Sequence, residues 1–156
     1  MNKKDTMILC HLRNNARMQL TQMSKKTGIP VSTLYERLLK ARFIKKYTII
    51  ADFGMLGFAT KAYVLISVHK NQKDALRQHL LHHPNINSLW RINNGFDFLF
   101  EGIYTNVGEV EHFFDQLETQ FSIKQKITHY VIEDIKEQDF MSNPQYAEWV
   151  QDRNPE

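Results

Sequence analysis

The 156-residue chain has one cysteine, Cys10. That excludes an internal disulfide and a zinc site built on cysteines. No run of about 18 apolar residues occurs, so no membrane span is expected. The opening MNKKDTMILCHL carries no cleavable apolar stretch of the secretory kind. Internal repeats, low-complexity tracts and flexible linkers are absent as well. These absences imply a cytoplasmic protein without a membrane partner. Residue constellations suited to catalysis are equally sparse. His79, His82 and His83 cluster near one helix end, and two of them stand one turn apart, but no acidic or cysteine partner lies nearby in sequence. Glu133 and Asp134 are neighbours on an expected strand and so face opposite ways. Cys10 lacks the basic surroundings of a reactive thiol. Neither a metal nor a cofactor nor an enzymatic activity is expected.

What is present is a hydrophobic content of 42%, enough for one or two small cores. Charge is divided unevenly. Residues 1–60 hold 11 Lys/Arg against 3 Asp/Glu, a balance of +8, and residues 61–156 hold 9 against 14, or −5, giving the overall +3. Such asymmetry suits a protein in which one half meets a polyanion.

The basic half contains RMQLTQMSKKTGIPVSTLYERLLKARFIKKY, residues 17–47. It reads as two short amphipathic helices joined at Gly28, where a tight turn needs a residue tolerant of positive φ. Pro30 follows at a position where a new helix can start. Leu34, Leu38 and Ala41 recur at helical spacing and are expected to point inward, leaving Ser32, Thr33, Glu36, Arg37 and Lys40 outward. A short helix with hydroxyls and an arginine on its open face fits a DNA major groove. An earlier helix carries Ile8, Leu9 and Leu12, with Asp5 near its start, where a negative charge suits the dipole.

The acidic half has another rhythm. Strands are expected over 61–69, 86–92, 96–104 and 127–135, and helices over 72–83 and 107–120. Ala75, Leu76, Leu80 and Leu81 mark the inner face of the first helix, and Val110, Phe113, Phe114 and Leu117 that of the second. Asn93-Asn94-Gly95 is a hairpin signal between the middle strands. The order β-α-β-β-α-β is that of a ferredoxin-like unit. Tyr63, Leu65, Leu89, Phe98, Phe100, Tyr130 and Ile132 are more large apolar groups than one sheet-helix core needs. A homodimer, with room for a tetramer or octamer, is therefore expected, and a dimer supplies two recognition helices for a pseudo-palindromic site.

The ordered set Asp5, Ile8, Leu9, Leu12, Arg17, Ser24, Gly28, Glu36 and Arg37 resembles the N-terminal domain of the Lrp/AsnC ("feast/famine") transcriptional regulators. FIKKYTIIADFGMLGF is similar to that family's linker, an Ile-x-x-Tyr strand ending in Leu-Gly, and the resemblance extends over about residues 3–137. It implies an α+β chain: a winged-helix-like helix-turn-helix domain over 1–46, a linker strand over 47–60, a ferredoxin-like effector and oligomerisation domain over 61–137, and a tail over 138–156. In the tail, Pro144 can start a short helix with Tyr146, Trp149 and Val150 on one side, covering either the domain edge or a neighbouring subunit.

The function implied is sequence-specific binding of double-stranded DNA, modulated by a small molecule such as an amino acid. Base edges are assigned to Ser32, Thr33 and Arg37, with an ion pair to a nearby carboxylate as the alternative for Arg37. Gln22, Ser24, Lys25, Lys26, Lys45 and Lys46 are assigned to phosphates, and Arg17, Val31, Glu36 and Lys40 complete the DNA-binding set. The effector turn is Asn93, Asn94, Gly95 and Asp97. The family's turn carries a Gly-Asp-like pair followed by an aspartate. Here Asn94 stands for the glycine and Gly95 for the acidic residue, so ordinary amino acids are expected to bind weakly or not at all. The alternative for Asn94-Gly95 is a plain tight turn that Asp97 solvates or caps.

A second departure shortens the recognition-helix region by about three residues, nearly one turn at ~3.6 residues per turn, and removes the usual glycine cap. Two other functions stay open. Sirohaem decarboxylases are similar to this family, but of their His-Asn-Tyr run with a nearby arginine only Arg91 is present. A DNA-independent small-molecule sensor would use the second domain alone.

Overall fold

The computed structural model describes residues 2–147 and 149. The chain divides into two compact units, one comprising residues up to Ile50 together with those from Ile135 onward, the other Ala51–Asp134.

The first unit is built on three helices, α1 (Lys3–Asn14), α2 (Leu20–Thr27) and α3 (Val31–Leu39). Asn2 caps α1, its side chain accepting from the Asp5 N–H at 3.0 Å. Gly28 ends α2 at φ +71°, in the left-handed region where a Cβ costs energy, and its N–H bonds to the Ser24 carbonyl. Ile8, Met23, Ile29 and Leu34 form a buried core, with Leu12, Met18, Leu20 and Leu38 packed on it.

Helix α3 stops at Leu39 without a glycine. The Lys40 N–H reaches back to the Glu36 and Arg37 carbonyls, Ala41 to Leu38 and Ile44 to Ala41, so tighter i→i+3 bonds close the end. Ala41 thus lies beyond the helix whose inner face it was expected to extend. Residues 45–53 form no strand. The expected linker strand is corrected to extended chain followed by a short 3₁₀ turn, Gly54–Leu56, because no strand among the described residues lies beside it to complete a ladder. Tyr47, Ile49 and Ile50 are exposed there.

The C-terminal segment belongs to this first unit. Arg13 of α1 donates to the Phe140 and Gln138 carbonyls, and Cys10 is buried against Met141 and Ala147, with Met7 and Leu9 alongside. The tail buries Met141 and Ala147, whereas Tyr146 and Trp149 are exposed. Val150 lies outside the described residues.

The second unit holds β1 (Thr60–Val68), α4 (Lys73–His82), β2 (Ile86–Arg91), β3 (Phe98–Tyr104), α5 (Val107–Gln120) and β4 (Ile123–Tyr130). The sheet is antiparallel in the order β2-β3-β1-β4, the ferredoxin-like arrangement. One face carries Ala62, Val64, Ile66, Val68, Phe98, Phe100 and Tyr104 against Leu76, Leu80, Val110, Phe113, Phe114 and Leu117 of the helices. The Tyr104 ring folds back over Gly102, where any side chain would meet it.

Several expectations are corrected. The last strand runs Ile123–Tyr130 rather than 127–135, because β1 pairs from Val68↔Ile123 to Ala62↔Tyr130 and leaves later residues little to pair with. Glu133 and Asp134 therefore lie past the strand, and Asp134 takes the Lys61 ammonium at 2.7 and 2.8 Å. Ala75 and Leu81 are exposed, as α4 buries a narrower stripe than its sequence suggests. Of the large residues expected in excess, Phe98 and Phe100 are spent on the helix-facing core, Leu89 packs beside it, and Ile132 is fully exposed beyond β4.

Candidate nucleic-acid interface and effector turn

Helix α3 presents different chemistry in different directions. Leu34 is buried and Leu38 half-buried in the core. Arg37 turns toward α1, its Nη1 donating to Asp5 Oδ1 at 2.7 Å and to Asn2 Oδ1 at 3.1 Å. The expected base reader is thus engaged within the unit, in the ion pair that was its alternative. Thr33, Glu36, Arg37 and Lys40 line a groove of about 460 Å³ with Asp5, Arg42 and Phe43. The outward surface of α3 consists of Val31, Ser32, Tyr35, Glu36 and Leu39.

Around that surface the chain is basic. Gln22, Lys25 and Lys26 on α2 are exposed and Ser24 is half-buried. Arg17 precedes α2, exposed, with its backbone N–H bonded to Asn15 Oδ1. Beyond α3, Lys40, Arg42, Lys45 and Lys46 are exposed. Tyr35, Leu39 and Arg42 were not singled out from the sequence. The signal for the first two was available in the i, i+4, i+8 spacing of Val31, Tyr35 and Leu39 opposite the core stripe.

The second unit's turn has Asn94 at φ +62° and Gly95 at φ +89°, the pair of positive values of a tight hairpin turn. Ile92 donates to the Asp97 carbonyl at 3.1 Å and closes the loop. The Asp97 carboxylate reaches into its own unit. It pairs with Lys73 at the start of α4 and accepts from the Val68 N–H at 3.1 Å. Burial alone would raise its pKa; the Lys73 ammonium and the Val68 amide outweigh that and hold it below the usual carboxylate range. Lys73 lies 24 residues from Asp97 in sequence, and only the β1–β3 pairing brings them together.

On the sheet face away from the helices, register aligns Trp90, Leu99, Leu65 and Ile127 in one row across all four strands. The next row is Ser88, Glu101, Tyr63 and His129. Glu101 is only 4% exposed, and its Oε2 accepts from Asn87 at 2.7 Å and Ser88 at 2.8 Å.

The three histidines make local contacts. His82 Nδ1 donates to the Gln78 carbonyl, and His83 packs on Phe113 at 4.7 Å between ring centroids. Among the described residues no group of three or more His, Cys, Asp or Glu is gathered as a metal site would require. Arg91 is exposed at the end of β2. No described helix is long and apolar enough to cross a membrane.

A helix-turn-helix unit coupled to a ferredoxin-like domain defines a two-domain transcriptional regulator. Residues 1–41 match the winged helix-turn-helix DNA-binding model and residues 61–140 the Lrp/AsnC ligand-binding domain. The chain belongs to the Lrp/AsnC family of transcriptional regulators. It is 30% identical over 114 residues to the HTH-type transcriptional regulator FL11 of Pyrococcus horikoshii, covering 71% of this chain and 76% of that protein. An uncharacterised HTH-type regulator of the same organism is 27% identical over 146 residues, covering 88% and 97%. A transcriptional regulator of Neisseria meningitidis in complex with L-Met superposes with a TM-score of 0.81 at 20% identity, covering 88% of this chain and 93% of that one. LrpC of Bacillus subtilis gives a TM-score of 0.79 at 20% identity, covering 87% and 97%.

Proposed function

We propose that this chain is a sequence-specific DNA-binding regulator that acts in the cytoplasm as a homodimer or a larger homo-oligomer, without catalytic activity. The observation that carries the reading is the basic surround of α3, an exposed helix set among lysines and arginines in a half-chain of charge +8. Lys25, Lys26, Lys45, Lys46, Gln22, Ser24 and Arg17 meet phosphates, and the outward face of α3 meets bases. Selection of duplexes from a random pool tests this, with a defined motif as the expected result and sequence-blind retention as the refuting one. Lys25→Ala should weaken all duplexes alike and reduce the salt slope by about one.

Assembly is supported by the apolar row Trp90–Leu99–Leu65–Ile127, a surface suited to a second copy of the same sheet. Sedimentation at micromolar concentration should give a dimer or larger, and Leu65→Glu should shift it toward monomer. A wild-type monomer at that concentration would end the two-half-site model.

The Neisseria neighbour was solved with L-Met. Here the turn that would meet such a ligand is narrowed by Asn94, and its carboxylate, Asp97, already serves Lys73 and Val68. Ordinary amino acids bind this chain weakly or not at all, and regulation follows protein level or another small molecule. Calorimetric titration with all twenty amino acids is the check. Low-micromolar binding of any one, lost on Asp97→Ala, would restore the family's effector site.

A further inference from the structure

Helix α3 spends its most obvious reading group internally. Arg37 is tied to Asp5 and Asn2, and Leu34 and Leu38 serve the core. The remaining outward surface is largely apolar. Val31, Tyr35 and Leu39 recur at i, i+4 and i+8 with exposures of 39%, 56% and 69%. Ser32 and Glu36 lie beside that stripe. None of these side chains offers the bidentate donor that recognises guanine, nor the amide that recognises adenine.

Two observations choose the occupant. An apolar stripe alone could suit a protein surface, but α3 is flanked in the chain by exposed Lys25 and Lys26 before it and exposed Lys40 and Arg42 just after it, which favour a polyanion. In the major groove of a polyanionic duplex, the apolar feature on a base edge is the C5-methyl group of thymine.

We infer that α3 selects its site through thymine methyl groups, contacted by Val31 and Tyr35, while Arg37 positions α3 against α1 and reads no base. Leu39 extends the same contact toward the end of the helix. Ser32 and Glu36 add polar contacts, the carboxylate suiting a cytosine amino group. The inference rests on the DNA-binding reading above and specifies which chemical group on the DNA that reading requires.

The test uses the full chain and a duplex obtained by selection. Each thymine is replaced in turn by deoxyuridine, which removes the methyl group and leaves base pairing intact. Wild type should bind about fourfold more weakly for each contacted methyl lost, the worth of one buried carbon. Val31→Ala and Tyr35→Ala should bind the thymine and uracil forms alike at the position each contacts. Both should retain the wild-type salt slope and thermal midpoint, because both side chains are exposed.

Sequence-selective binding that ignores every thymine-to-uracil change would overturn this inference and leave DNA binding standing. Retention of no duplex at all would overturn both. A Tyr35→Ala variant that shifts the sedimentation of the free protein and keeps full thymine discrimination would assign the stripe to contact between copies and refute the inference.

Discussion

Arg37 allows a decisive perturbation, because a base-reading arginine and a bracing arginine fail differently. Its guanidinium lies 2.7 Å from Asp5, with side-chain exposures of 29% and 21%. Fully exposed pairs contribute about 0.2–1 kcal/mol. This one is partly shielded and shares the Asn2 cap oxygen at 3.1 Å, which places its coupling near the top of that range, about 1 kcal/mol. A double-mutant cycle with Arg37→Ala and Asp5→Ala, read by denaturant unfolding, should return that coupling, and each single variant should lower the thermal midpoint by several degrees. Asp5 sits on α1, so a bracing role predicts that Asp5→Ala weakens DNA binding in the same manner as Arg37→Ala, at all sequences alike. The reasoning is refuted if Asp5→Ala leaves stability and affinity unchanged while Arg37→Ala relaxes preference at one base position. Arg37 would then be the reader the sequence suggests.

Tyr104 is fully buried, and its hydroxyl has no hydrogen-bond partner among the described residues; Tyr104→Phe should therefore stabilise by about 1 kcal/mol in denaturant unfolding, and a loss of that size would refute the account. His11 and His83 both have pKa values held below normal, chiefly by burial, with Lys26 adding to the effect at His11 and His79 at His83, partly opposed there by Glu109. The folded state then binds fewer protons than the unfolded one below the normal histidine pKa. Stability is full above about pH 6.5, falls as pH drops through that value and levels off only below the depressed folded values. His83→Gln should flatten this decline in a pH series of melts. Gly28→Ala meets no atom within 4 Å but keeps φ at +71°, so it should cost about 1–2 kcal/mol, and a neutral result would show that the turn relaxes.

What was legible in the sequence was what local spacing governs. The left-handed residue between α2 and α3 declares itself as Gly28, and the hairpin as Asn94-Gly95. The inner faces of α3 and α5 follow the 3.6-residue period. Distant pairings escaped. Asp5 and Arg37 are 32 residues apart, and Asp97 meets Lys73 only once β3 lies beside β1. A side chain assigned outward by a helical wheel can still bend to a neighbouring helix, as Arg37 does. The start of β4 was obscured because its first residues, Ile123–Lys126, alternate apolar and polar too weakly to announce a strand, and its register is set by β1.

The return of the tail to α1 has a consequence for biosynthesis. α1 is synthesised before the sheet domain, yet Cys10, Met7 and Leu9 find Met141 and Ala147 only after that whole domain has been made. Arg13 likewise waits for the carbonyls of Gln138 and Phe140. The usual sequence, in which an N-terminal domain completes itself during synthesis, is thus interrupted. A unit begun before the sheet domain is completed only after it, and a nascent chain stalled within β3 would carry a half-covered α1, a natural handle for chaperones.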